Sequence, residues 1–168
     1  MTGEKDTIFS SKVKHSGIFR FSDFYKFCYD WLVEESGLKV VEEQYAEKIK
    51  GTSKDIEIKW VGTKKVSDYF KFEIKVAFKI IGMEDVEVLQ DKVKVRMNKG
   101  LIEVKISSTI IKDYQGKFEQ NAFKKFLRGI YEKWVIPSRI SQYETKLVGD
   151  SDEFLSQIKA YLDLEGKR

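Results

Sequence analysis

Between residues 69 and 80 the chain alternates, with Phe70, Phe72, Ile74, Val76, Phe78 and Ile80 set against Lys71, Glu73, Lys75, Ala77 and Lys79. A period of two sends successive side chains to opposite faces of a strand, so one face is apolar and the other charged. That pattern belongs to an antiparallel sheet with one dry side and one wet side. Ile56, Ile58 and Trp60 repeat it upstream, and Ile102, Val104, Ile106 and Ile110 repeat it downstream. The expected fold class is therefore α+β. It comprises a curved antiparallel meander of five to six strands, one helix after the first strand, and a C-terminal helical segment packed on one face.

Local signals place the elements. An opening strand is expected over 7–14, running on towards Phe19, after a flexible tail at 1–6. Ser22 offers an N-cap for a helix over 23–35, whose stripe is Phe24, Phe27, Cys28, Trp31 and Leu32 and whose end is Ser36-Gly37. Val41, Tyr45 and Ile49 share one face of the next segment, and a hairpin is expected through 62–68. Gly82-Met83-Glu84-Asp85 reads as a turn and Asn98-Lys99-Gly100 as a strong hairpin turn. Val86 and Val88 are apolar at even positions, while Val93, Val95 and Met97 are apolar at odd ones. A register change is expected near 89–91, as a bulge or a break.

The last third changes period. Phe123, Phe126, Leu127, Ile130, Tyr131 and Trp134 recur at three and four, which predicts the main sheet-covering helix over 118–136. Pro137 stops or kinks it. Ile140, Tyr143 and Leu147 mark a shorter helix ending at Gly149. Asp150-x-x-Glu153 resembles a capping box opening a third helix, with Phe154, Leu155, Ile158, Tyr161 and Leu162 as its stripe and Gly166 as its stop.

At 168 residues one domain is expected, with 7–112 as strand, helix and meander and 118–168 as a helical layer. Twelve Phe, eight Tyr and three Trp supply the apolar area that offsets ordering entropy. No apolar run approaches the ~20 residues of a membrane-spanning helix, and the first seven residues lack a signal peptide's apolar core. A cytoplasmic protein is expected.

One Cys and one His leave no disulfide framework and no Cys/His zinc site. The acids at Glu84, Asp85 and Glu87 lack the alternating ligands of a calcium loop. Cys28, between Phe27 and Tyr29, reads as a small buried hydrophobe, and His15 as an exposed residue near a strand end. Gly62-Thr63-Lys64-Lys65 has too few glycines for a phosphate loop. No catalytic residue, metal ligand or cofactor site is assigned, and a non-enzymatic role is expected.

Two candidate sites remain. An apolar pocket between sheet and helix would be lined by Trp31, Trp60, Phe72, Phe78 and Trp134. A basic sheet face would use Lys71, Lys75, Lys92, Lys94, Arg96 and Lys105, with Lys59 and Lys79 alternating outward as well. The central segment, 56–112, holds the charge excess, with 12 Lys+Arg against 8 Asp+Glu. Exposed aromatics for base stacking are missing from those outward positions. The expected function is binding of an apolar ligand or a protein partner, with nucleic-acid binding through the basic face as one alternative and an enzyme without a recognisable motif as another. The helix over 150–165 is a candidate homodimer contact.

The order strand, helix, long meander, helix resembles the helix-grip group, which includes START-like and Bet v 1-like lipid-binding domains. The likeness covers about 7–136 and implies a sheet wrapped on a helix with an apolar ligand between. Phe126-Leu127-Arg128-Gly129-Ile130-Tyr131 and the ending Leu164-Glu165-Gly166-Lys167-Arg168 also look like uncharacterised small archaeal proteins.

Overall fold

A computed structural model describes residues 4–115, 122–131, 133 and 137–166. Five strands form one open sheet: β1 (Glu4–Phe19), β2 (Lys39–Lys50), β3 (Ser53–Lys65), β4 (Phe70–Gln90) and β5 (Val93–Lys112). Their spatial order is β1-β5-β4-β3-β2, and every neighbouring pair is antiparallel. Helix α1 (Phe21–Asp30) follows β1 and runs into a π-helical turn at Trp31–Glu35. Helix α2 (Ala122–Ile130) and the long helix α3 (Pro137–Gly166) complete the chain. The α+β class and the one-sided helical layer agree with the alternating pattern.

The dry face is the one the alternation marks. Ile56, Ile58, Trp60, the even residues from Phe70 to Ile80, Ile102, Val104, Ile106 and Ile110 are all buried. Each such side chain contributes roughly 1.5–3 kcal/mol when fully buried. Phe24, Cys28 and Leu32 cover this face from α1 and its π-helical turn, and Leu147, Phe154, Leu155, Ile158 and Leu162 cover it from α3.

Several expected boundaries move, each for a physical reason. β1 starts at Glu4, inside the stretch read as a tail. Helix α1 starts at Phe21, and Ser22 does not cap it. The Phe21 amide is taken instead by the Asn98 side-chain carbonyl at 2.9 Å. That contact explains why Asn98-Lys99-Gly100 is strand interior and no turn. Asn98 also donates to Asp85 across the β4–β5 pair at 2.9 Å. Gly100 faces a bulge between Ile81 and Glu84, where an added Cβ would lie 3.1 Å from the Ile81 carbonyl oxygen and from Met83 Cα. Gly82 takes φ +63° in that bulge, so the expected turn at 82–85 is a kink within one continuous strand.

The reversal between β4 and β5 falls at Asp91-Lys92, with φ of 51° and 68°. Two consecutive positive φ values make the two-residue turn that suits a twisted hairpin. The β3–β4 turn lies at 66–69, later than expected, with the Ser67 hydroxyl accepting the amides of Tyr69 and Phe70.

The helical layer departs most from expectation. α3 is one helix of 30 residues, unbroken at Gly149. An added Cβ at Gly149 meets nothing, so this glycine faces open space and demands no turn. Asp150 pairs with Lys146 at 3.3 Å within the helix and caps nothing. The sheet is covered by α3, and α2 buries none of its residues. Residues 118–121 and 134–136 of the expected covering helix lie outside the described residues.

Candidate functional site

Of the candidate pocket residues, Trp60, Phe72 and Phe78 belong to the packed core. Trp60, Phe72 and Phe78 are buried, and the Trp60 and Phe78 rings meet edge-to-face at 4.7 Å between centroids. Trp31 is half-buried against Phe154, 5.2 Å away. Trp134 lies outside the described residues. Among the described residues no hollow gathers Trp31, Trp60, Phe72 and Phe78 around itself.

Polar atoms at this edge of the core are tied to one carboxylate. Glu42 Oε1 accepts from Trp60 Nε1 at 3.0 Å and from Tyr25 Oη at 2.8 Å. Burial, and then the Glu42 carboxylate, push the Tyr25 phenol up to about 12. Tyr45 is pushed up to about 12 in the same way, by burial and by Glu47. Protonated phenols at both positions make them hydrogen-bond donors and poor bases.

Cys28 is fully buried, and burial pushes its thiol well above the usual range, which opposes nucleophilic use. His15 is half-buried rather than exposed, and its Nε2 is 3.9 Å from an added Cβ on Gly166 at the end of α3. Among the described residues no group of three or more His, Cys, Asp or Glu is arranged to hold a metal.

The candidate basic residues divide. Lys71, Lys75 and Lys105 lie on the wet face of the main sheet. Lys94 and Arg96 do not share it, because the bulge sits in β4 and β5 keeps one alternation throughout. Even residues of β5 therefore point opposite to Lys105. Lys94 and Arg96 sit on the ribbon beyond the bulge, paired with Leu89 and Glu87, and Lys92 is in its turn. Acids alternate with them there, and Arg96 Nε is 3.9 Å from Asp85.

Among the described residues, α2 gathers four exposed large apolar side chains. Phe123 and Phe126 are 67% and 63% exposed, and Leu127 and Ile130 flank them, also exposed. The helix is anchored by its other side. Arg128 donates to Tyr69 Oη at 3.1 Å and pairs with Glu4 at 2.6 Å. The Tyr131 ring, just beyond the helix, meets Tyr69 at 5.4 Å. Positions 124, 128 and 131 thus turn inward, and 123, 126, 127 and 130 turn out. The periodicity shows both stripes but gives no sign of which one faces the core.

The 150–165 segment expected as a dimer contact buries its own apolar stripe on the sheet, through Phe154, Leu155, Ile158 and Leu162. Its outward side is polar apart from Leu164, which is exposed. No helix among the described residues is long and apolar enough to cross a membrane. No protein-family model matches the chain, and no curated protein matches it significantly.

Proposed function

We propose that this protein is a non-enzymatic binding domain that inserts the apolar stripe of α2 into a groove on a protein partner. The observation that carries the reading is the outward display of Phe123, Phe126, Leu127 and Ile130. Their spacing of i, i+3, i+4 and i+7 is the anchor pattern of helix-in-groove recognition. Exposed aromatic and aliphatic side chains grouped this way mark interaction surfaces.

Charge narrows the partner. Ala122–Ile130 carries no acid, and Lys125 is the cation of its outward side, since Arg128 turns inward to Glu4. A groove rimmed with carboxylates complements it, whereas a second copy of α2 would bring like charges together. A protein partner is favoured over an apolar small ligand because Trp60, Phe72 and Phe78 are packed core.

The test is a photo-crosslinker placed at position 126 in the cells that make the protein, with position 146 on α3 as control. The reading expects one discrete heteromeric adduct from 126, abolished by Ile130→Asp, and none from 146. A homodimer adduct, or no adduct, overturns it. Sedimentation with anionic lipid vesicles that is lost in Phe123→Ser/Phe126→Ser would assign the stripe to lipid and overturn it too.

A further inference from the structure

The wet face of the sheet places cations in a register that sequence spacing does not reveal. Across four strands, Lys59 on β3 is level with Ala77 on β4, Lys105 on β5 and Lys12 on β1. At about 4.8 Å between strands, that row spans roughly 14 Å. The next row brings Val61, Lys75, Ser107 and Ser10 level with one another. Ala77 is the one short side chain among the lysines of its row. Around it the surface is hollowed: Lys59, Lys75, Lys105 and Ser107 line a depression of about 380 Å³, and Glu43 from β2 lines it too. A second hollow of about 410 Å³ shares Lys59, Ala77 and Lys105 and extends to Lys79, Glu57 and Glu103.

Two neighbouring lysines of β1 are held in ion pairs. Lys5 pairs with Glu73 at 3.7 Å and Lys14 with Glu103 at 3.9 Å, so two of the acids at the borders are already engaged. Among the described residues no ion pair forms at Lys12, Lys59, Lys75 or Lys105. Unpaired cations around a depression concentrate potential there and attract anions. We propose that this depression binds a small, multiply charged phosphate compound through Lys59, Lys75 and Lys105, with Lys12 alongside and the Ser107 hydroxyl as an added donor.

The borders set the size and kind of ligand. Glu73 on one side and Glu57 and Glu103 on the other flank these two cross-strand rows. A long polyanion lying along the strands would meet those carboxylates, whereas a compact one fits between them. The depression falls within the ~300–1,000 Å³ of small-ligand sites. The outward positions of these two rows offer no aromatic on which a base could stack. The site shares no residue with α2, so it stands or falls apart from the docking reading.

The test is a titration of the labelled full-length chain with inorganic triphosphate, followed by amide NMR at roughly 50 mM salt. Shifts confined to Lys59, Ala77, Lys105, Ser107 and their strand neighbours are expected. Lys59→Ala/Lys105→Ala should weaken binding by about tenfold or more, and Lys94→Ala/Arg96→Ala should leave it unchanged. Ala77→Leu, which fills the depression and alters no charge, should also weaken it. Shifts scattered over all lysines, no shift at millimolar triphosphate, or equal loss in the Lys94/Arg96 variant would overturn the proposal. So would a single-stranded oligonucleotide that binds the same residues more than about tenfold tighter, since it would make the face a nucleic-acid surface.

Discussion

Ser108 on β5 and Ser151 on α3 join hydroxyl to hydroxyl at 2.6 Å, both fully buried, and are the polar stitch between the sheet and its covering helix. Ser151 donates onward to the Leu147 carbonyl at 2.7 Å, so its proton is committed and Ser108 is the donor between the two. The two single variants should therefore differ. Ser151→Ala strands a buried donor on Ser108 and should cost about 1–3 kcal/mol, while Ser108→Ala should cost about 1 kcal/mol. The double Ala variant should be more stable than the sum of the two losses predicts. Urea unfolding of all four proteins closes this double-mutant cycle, and strict additivity would show that the pair is not coupled.

Two glycines give opposite predictions under the same substitution. Gly149→Ala fills open space in the middle of α3 and should stabilise by about 0.5–1 kcal/mol. Were the helix to end there, as the sequence suggests, the same change would destabilise. Gly100→Ala pushes a Cβ to 3.1 Å from backbone atoms of Ile81 and Met83, which cannot swing aside. It should destabilise by about 1–3 kcal/mol. Thermal melts of both variants read the difference directly.

Tyr25 and Tyr45 should titrate late. Both phenols are pushed from 10.0 up to about 12, chiefly by burial, with Glu42 adding to Tyr25 and Glu47 to Tyr45. The protonated form is the one the fold favours. Their contribution to stability is therefore complete below pH 10 and is lost as pH rises from 10 to 12. In a phenolate absorbance titration, Glu42→Gln should bring the Tyr25 transition down and leave that of Tyr45 nearly in place. A transition for Tyr25 that does not move would remove Glu42 as a cause.

The sheet was legible because burial on one side imposes alternation, and Phe70 to Ile80 carry it without interruption. The helical layer was legible as amphipathic helices and not as an arrangement. Phe123, Phe126, Leu127 and Ile130 make a cleaner apolar stripe than the α3 stripe, which Ser151 interrupts, yet α3 covers the sheet. Periodicity reports that a helix has an apolar side and is silent on what meets that side. Asn98-Lys99-Gly100 misled for a related reason. Asparagine and glycine favour turns, but here each serves a contact with a distant segment, Asn98 with Phe21 and Gly100 with the bulge at Gly82-Met83. Asp91-Lys92 turns the chain with no glycine at all. Of the residues expected on the basic face, Lys71, Lys75 and Lys105 lie on the wet face of the main sheet, with Lys12 level with Lys105, whereas Lys94 and Arg96 lie beyond the bulge. Cross-strand register and the position of a bulge are set by tertiary pairing, which no single segment of sequence shows.

α3 covers the sheet, and the α2 stripe stays outside the core, where we propose that a partner meets it. Equilibrium urea unfolding of Phe123→Ser/Phe126→Ser beside Phe154→Ala tests this arrangement most directly. The α2 variant should unfold within about 0.5 kcal/mol of the parent, and Phe154→Ala should lose about 3–5 kcal/mol. A loss of several kcal/mol in the α2 variant would instead place Phe123 and Phe126 in the core.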